Sequence, residues 1–242
     1  MSESLRHKRL CELLYQLLCA AVDGQACVGS DQFVYYDASS PKKKCSPDAF
    51  VKLGVPAELF EIWKVWKKGA PELCVEILSP SDTEEKLTLP EKLRRFHTMG
   101  VSEVLTFDVD ADMGTRIRAW DLVQGDLVGR EVLGERTPCL TLGLWFVVAP
   151  YEDERHPVNS LPAALRLSRD AEGKELLLTA DEQARLEAHH EKARAVRAEA
   201  EVEQEKTRAE QEKTRAEQEK TRAVRAEAEV ERLRAELARR PT

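Results

Sequence analysis

The stretch PELCVEILSPSDTEEK, Pro71 to Lys86, decides how the chain is read. Leu73 to Leu78 is an apolar run of strand length, the kind that ends in a protein interior. Glu76 stands in the middle of it. A buried carboxylate costs several kcal/mol unless it is compensated, or it takes up a proton. A compensating cation would keep it there; a solvent-facing strand edge or a buried arginine partner would do so too. A second carboxylate, Asp48, follows Ser46–Pro47 at the start of the preceding strand. Alone it reads as a turn residue. If the two strands are neighbours, Asp48 and Glu76 can face one cavity. Two carboxylates, a backbone carbonyl and waters suit Mg²⁺ or Mn²⁺.

A phosphodiester site also needs a positive group beside the attacking water. Two residues past Glu76 on the same strand stands Leu78, which cannot serve. The helix PEKLRRFHTMG, from Pro90 to Gly100, offers Lys92 instead. Its default reading is a surface helix lysine. Arg94 and Arg95 point to other helix faces.

Outward from this stretch the chain mixes elements. Leu5, Leu10, Leu13, Leu14, Leu17 and Leu18 give helical spacing across Ser4 to Val22. Strands are expected at Ala26–Tyr36, Asp48–Leu53, Leu73–Ser79, Val101–Asp108, Thr115–Val123, Leu127–Val132 and Leu144–Val148. A short helix rich in Trp and Lys is expected at Glu58–Lys68, and Pro90 opens the helix that Gly100 closes. This order predicts an α/β or α+β domain with a mixed central sheet.

Composition changes near Thr179. Residues 181–242 are almost all Ala, Glu, Lys, Arg and Gln, without Gly, and TRAEQEK repeats directly at Thr207 to Lys220. The organisation expected is a domain over 1–180 and one long helix over 181–242. One heptad row runs Ala188, Ala195, Val202, Ala209, Ala216, Ala223, Val230, Leu237; its companion row is charged in the middle. Weak coiled-coil self-association and a solvated single helix held by i,i+4 ion pairs are both open.

The net charge is −7, and 33% of the 242 residues are charged. The tail holds 16 acidic and 15 basic residues, which leaves residues 1–180 at 28 and 22, a net of −6. The tail therefore masks no basic core, which argues against non-specific nucleic-acid binding without excluding a local basic cleft. The basic-aromatic cluster is Lys42, Lys43, Lys44, Lys64, Lys67 and Lys68 with Trp63 and Trp66. It can line a DNA groove, or be solvated lysines over core tryptophans. Six cysteines show no C-x-x-C pair, so no structural zinc site is expected and the cysteines read as buried apolar residues in a reducing compartment. His7 stands alone, and the other histidines show no ligand spacing. The N-terminus lacks a signal-peptide run and no window suits a membrane span, so a cytoplasmic protein is expected.

Taken together, SPDAFV, GAPELCVEILSPSD and EKLRRFHTMGVSEVLTFDVD resemble the Uma-type family of putative restriction endonucleases, within the PD-(D/E)xK nuclease superfamily. The matching positions are Pro47–Asp48, Glu76 to Ser81, Lys92 with Phe96, Gly100 to Glu103, and Asp108. The resemblance spans roughly residues 5 to 150. It implies a restriction-endonuclease-like fold, a divalent Mg or Mn cation on Asp48, Glu76 and the Ile77 carbonyl, and Lys92 as a migrated catalytic lysine. Glu12 matches where some superfamily members place a further acid. DNA is the implied substrate, and a homodimer suits cutting both strands. Four positions depart from the family pattern: Thr88 replaces an Asp, Val104 and Leu105 replace Tyr-Trp, and Phe96 replaces a Tyr. The alternative function is therefore a catalytically degenerate nuclease fold that acts as an interaction module through its tail.

Overall fold

A computed structural model describes residues 4–78, 88–153 and 156–238. The Ser79–Pro80–Ser81 part of the opening stretch lies outside them. In chain order the elements are α1 (Leu5–Val22), β1 (Ala26–Gly29), β2 (Phe33–Tyr35), β3 (Lys44–Cys45), β4 (Ala49–Leu53), β5 (Ile62–Lys64) and α2 (Val65–Lys68). Then come β6 (Leu73–Leu78), α3 (Leu89–Met99), β7 (Glu103–Asp108), β8 (Ile117–Val123), β9 (Asp126–Arg130), β10 (Arg136–Cys139), β11 (Leu144–Tyr151), β12 (Leu161–Ser168) and α4 (Ala180–Ala238). The chain divides into two compact units, residues 1–183 and 184–242.

The first unit is built on a six-stranded mixed sheet in the order β1-β4-β6-β7-β8-β9. Only the β6–β7 pair is parallel, and α3 makes that crossover. Two three-stranded sheets, β10-β11-β12 and β3-β2-β5, accompany it. This is the mixed α+β architecture that the element order predicts.

Both faces of the large sheet are covered, which is why β6 reads as a continuous apolar run. Side chains alternate along a strand. Leu73, Val75 and Ile77 join Ala49, Val51, Leu105 and Phe107 in the core under α1, whose Leu10, Leu14, Leu17 and Leu18 are buried there. Cys74 joins Phe50, Val104, Trp63 and α3's Phe96 in a second core on the opposite face. By that alternation Glu76 belongs to the α3 face.

Several elements differ from the sequence expectation. The strand expected at Ala26–Tyr36 is two strands in different sheets, because Asp31 adopts a left-handed turn at φ 64° between them. The helix expected at Glu58–Lys68 is one turn, α2, preceded by β5, which pairs parallel with β2. Trp63 drives this: it is fully buried against Phe50 and Phe60, and its Nε1 donates to the Gly69 carbonyl at 2.9 Å. Trp66, three residues on, stays 46% exposed, so the pair is not one helix face. Gly29 is required by a close approach: a Cβ there would lie 2.2 Å from the Phe50 ring.

The α4 helix starts at a capping box. Glu182 donates its backbone N–H to Thr179 Oγ1, and its carboxylate accepts from the Thr179 N–H. Buried Arg166 bonds the Leu177 carbonyl and the Glu182 carboxylate, each at 3.0 Å. Beyond this turn, Val196, Val202, Val224, Val230 and Leu233 are about half exposed.

Candidate functional site

Asp48 immediately precedes β4, and Ala49 pairs with Val75. One further step of that antiparallel register sets Asp48 beside Glu76. The Ile77 N–H donates to Asp48 Oδ2 at 2.6 Å, so the carboxylate extends the ladder just before β4 begins. In a strand the N–H and C=O of one residue leave on the same edge. The Ile77 carbonyl therefore points to the edge that Asp48 occupies. Asp48 is held from behind as well, since its own carbonyl accepts from Ser30 Oγ at 2.8 Å.

Glu76 is 2% exposed. Its Oε2 accepts a hydrogen bond from Lys92 Nζ in a close ion pair. The reason is helical geometry: Lys92 and Phe96 are i,i+4 neighbours on one face of α3. Phe96 is buried in the core that Cys74 shares, and Lys92, one turn earlier, reaches the next residue on that side of β6. Leu78 thus leaves to Lys92 the cationic partner that Glu76 requires. α3 is fixed at both ends. At its start the Glu91 carboxylate accepts from the Thr88 N–H and Oγ1, at 2.8 and 2.7 Å. At its end Gly100 caps it in the left-handed region at φ 82°. Thr88 therefore has a capping role.

A hollow of about 180 Å³ opens beside the pair, lined by Phe33, Lys44, Cys45, Ser46, Glu76, Lys92, Arg95 and Phe96. Lys44 Nζ lies 3.6 Å from the Phe33 ring centroid, and Arg95, which the sequence places on another helix face, shares the hollow with Lys92 and donates to the Lys44 carbonyl at 2.8 Å. Burial and the Glu76 charge push the Cys45 thiol up to about 12, so it stays protonated near neutrality. Asp48 is not among the lining residues; it adjoins the Glu76 side through the Ile77 backbone. A larger cavity of about 330 Å³, lined by Tyr15, Cys19, Cys27 and Glu58 among others, includes none of these acids.

The donor chemistry fits a hard divalent cation. Two buried carboxylates and a strand-edge carbonyl are oxygen ligands of the kind Mg²⁺ and Mn²⁺ take.

The other residues singled out by sequence separate. Glu12 is half exposed and pairs with Arg9 at 3.1 Å, lining a different hollow with Gln16 and Tyr151. The helix positions that meet Asp48 are His7 and Cys11. His7 Nε2 lies 3.5 Å from Asp48 Oδ1 and 3.4 Å from Cys11 Sγ, and all three residues are buried. His7 does not stand alone, and the i,i+4 spacing of His7 and Cys11 was the available signal. Of the lysines in the basic-aromatic cluster, only Lys44 lines the hollow. Lys43 pairs with Asp37 at 2.7 Å, and Lys68 pairs with Glu58 and lies 4.9 Å from the Trp63 ring centroid. Lys42 and Lys67 are exposed and Lys64 is half-buried. Glu103, read from sequence as part of a motif, is 2% exposed. It accepts from Arg130 at 2.9 Å, from the Leu140 N–H at 3.0 Å, and from the Thr141 N–H and hydroxyl at 2.8 and 2.7 Å. It ties the large sheet to the turn after β10.

Residues 1–149 match the family described as Uma2, putative restriction endonuclease. Among solved structures, a putative nuclease belonging to DUF820 from Anabaena variabilis is similar, at 16% identity and a TM-score of 0.40. The match covers 55% of this chain and 70% of that one. No curated protein matches the chain. Among the described residues, no helix is long and apolar enough to cross a membrane.

Proposed function

The chain belongs to the Uma2 family, and on that premise we propose that it is a metal-dependent nuclease that hydrolyses phosphodiester bonds, with DNA as substrate. The observation that carries this reading is the buried ion pair between Glu76 on β6 and Lys92 on α3, with Glu76 one residue from the Ile77 amide that holds Asp48. Asp48, Glu76 and the Ile77 carbonyl would hold Mg²⁺ or Mn²⁺. When bound, such a cation supplies Lewis acidity at the phosphate and lowers the pKa of a water. The chain's own residues do the rest. Lys92 neutralises Glu76 at rest and, in the reaction, donates to a scissile phosphate oxygen or holds the attacking water. Lys44 and Arg95 at the hollow attract the neighbouring phosphates. Lys42, Lys43, Lys64, Lys67 and Lys68 extend that positive surface, and Phe33 offers a ring against which a base can stack. Water adds to phosphorus, and the phosphorus–oxygen ester bond breaks to leave a hydroxyl and a phosphate monoester.

For the tail, the half-exposed Val202, Val230 and Leu233 support weak self-association of α4, and a homodimer would suit duplex cleavage. Light scattering of the full chain against 1–183 tests this, since a monomer in both removes the seam.

Cleavage tests the function. Oligonucleotides of single-stranded DNA, duplex DNA and RNA are incubated with Mg²⁺ or Mn²⁺ and the wild type, Glu76→Ala or Lys92→Ala. The wild type should cut at least one of them and both variants should not. A wild type inactive on all three overturns the reading.

A further inference from the structure

We propose that His7, Cys11 and Asp48 form a second metal site, selective for a borderline-soft transition ion of the Zn²⁺ class. It shares Asp48 with the hydrolytic site but does not rest on the nuclease reading. His7 and Cys11 are i,i+4 neighbours on the buried face of α1, so their donor atoms lie over one another. Asp48 meets them from just before β4. One donor from each residue lies within 4.8 Å of the other two.

The distances carry the argument. In a tetrahedral zinc site a sulfur and an imidazole nitrogen stand ~3.6 Å apart and a nitrogen and a carboxylate oxygen ~3.4 Å apart, from the usual bond lengths. Here Sγ to Nε2 is 3.4 Å and Nε2 to Oδ1 is 3.5 Å. One histidine nitrogen makes both approaches, as a common metal vertex requires. Exposures of 3%, 5% and 8% take the donors out of bulk water. Three protein ligands leave the fourth position open to water. A thiolate and an imidazole are poor ligands for Mg²⁺ and good ones for Zn²⁺, whereas the Glu76 side offers oxygens alone. The same buried aspartate thus stands between two chemically distinct ions. Bound Zn²⁺ should draw Asp48 away from Mn²⁺ and weaken Mn²⁺ binding.

The test is a Co²⁺ titration of the reduced full-length chain, read by the near-ultraviolet sulfur-to-cobalt charge-transfer band. One Co²⁺ per chain should give the band, and Zn²⁺ should displace it. Cys11→Ser should abolish the band, and His7→Gln should weaken Co²⁺ binding by at least about ten-fold. Cys45→Ser and Glu76→Gln should keep it. Wild type without a band overturns the proposal, whatever the variants do. So does a band that survives Cys11→Ser or vanishes in Cys45→Ser. Should Cys11→Ser not fold by circular dichroism, Cys11→Ala carries the same expectation. Failure of the nuclease reading leaves the cobalt band expected, so the two fail separately.

Discussion

Lys92→Met removes the ammonium that faces Glu76 while keeping the aliphatic stem. The side chains are 16% and 3% exposed, so the pair is out of bulk water. Breaking such a pair from one side costs about 3–5 kcal/mol. Protonation sets a ceiling on that cost. Glu76 can escape by becoming neutral, and from an unfolded value of about 4.3 that costs ~3.7 kcal/mol at pH 7 and ~1 kcal/mol at pH 5. In the variant the folded-state pKa of Glu76 lies above its unfolded value. The variant's deficit is therefore small below about pH 4.3 and grows as pH rises. Urea unfolding of wild type and variant at pH 5 and pH 7 measures it. The expected destabilisation is about 2–4 kcal/mol at pH 7 and about 1 kcal/mol or less at pH 5. Glu76→Gln in the same background should recover most of the loss at pH 7. An equal deficit at both pH values would refute the reasoning, because a lost charge partner cannot be indifferent to protonation.

Glu103→Ala should destabilise by about 2–4 kcal/mol, since the Leu140 and Thr141 amides lose their buried acceptor while Arg130 keeps its pair with Asp121; urea or thermal unfolding checks it. Cys45 should resist iodoacetamide in the native state up to about pH 9 despite lining the hollow, because its pKa is pushed up to about 12. Labelling followed by mass spectrometry reads this, and fast modification near neutral pH would contradict it.

The central sheet was legible because burial on both faces leaves a continuous apolar run, as in Leu73 to Leu78. The α1 helix was legible because its leucines recur at helical spacing. Glu58–Lys68 misled because Trp63 and Trp66 share a helical spacing while tertiary packing claims only Trp63. β12 was missed for a similar reason. LPAALRLS has no strand-like composition, and its pairing with β11 decides its state. In the site, the Asp48–Glu76 register and the reach of Lys92 follow from adjacent strands and an i,i+4 helix face. The approach of His7 to Asp48 depends on how α1 docks against β4, which sequence spacing does not encode. Thr88 departs from the family pattern, yet T-x-x-E at Thr88 to Glu91 is a readable capping box.

The proposed hydrolysis requires Asp48 and Glu76 as ligands of one cation. Calorimetric titration of Mn²⁺ into wild type, Asp48→Asn and Glu76→Gln tests that most directly. Wild type should bind one ion at this site, and each variant should lose at least about ten-fold in affinity. A wild type that binds no Mn²⁺, or variants that bind it as tightly, would contradict this ligand assignment.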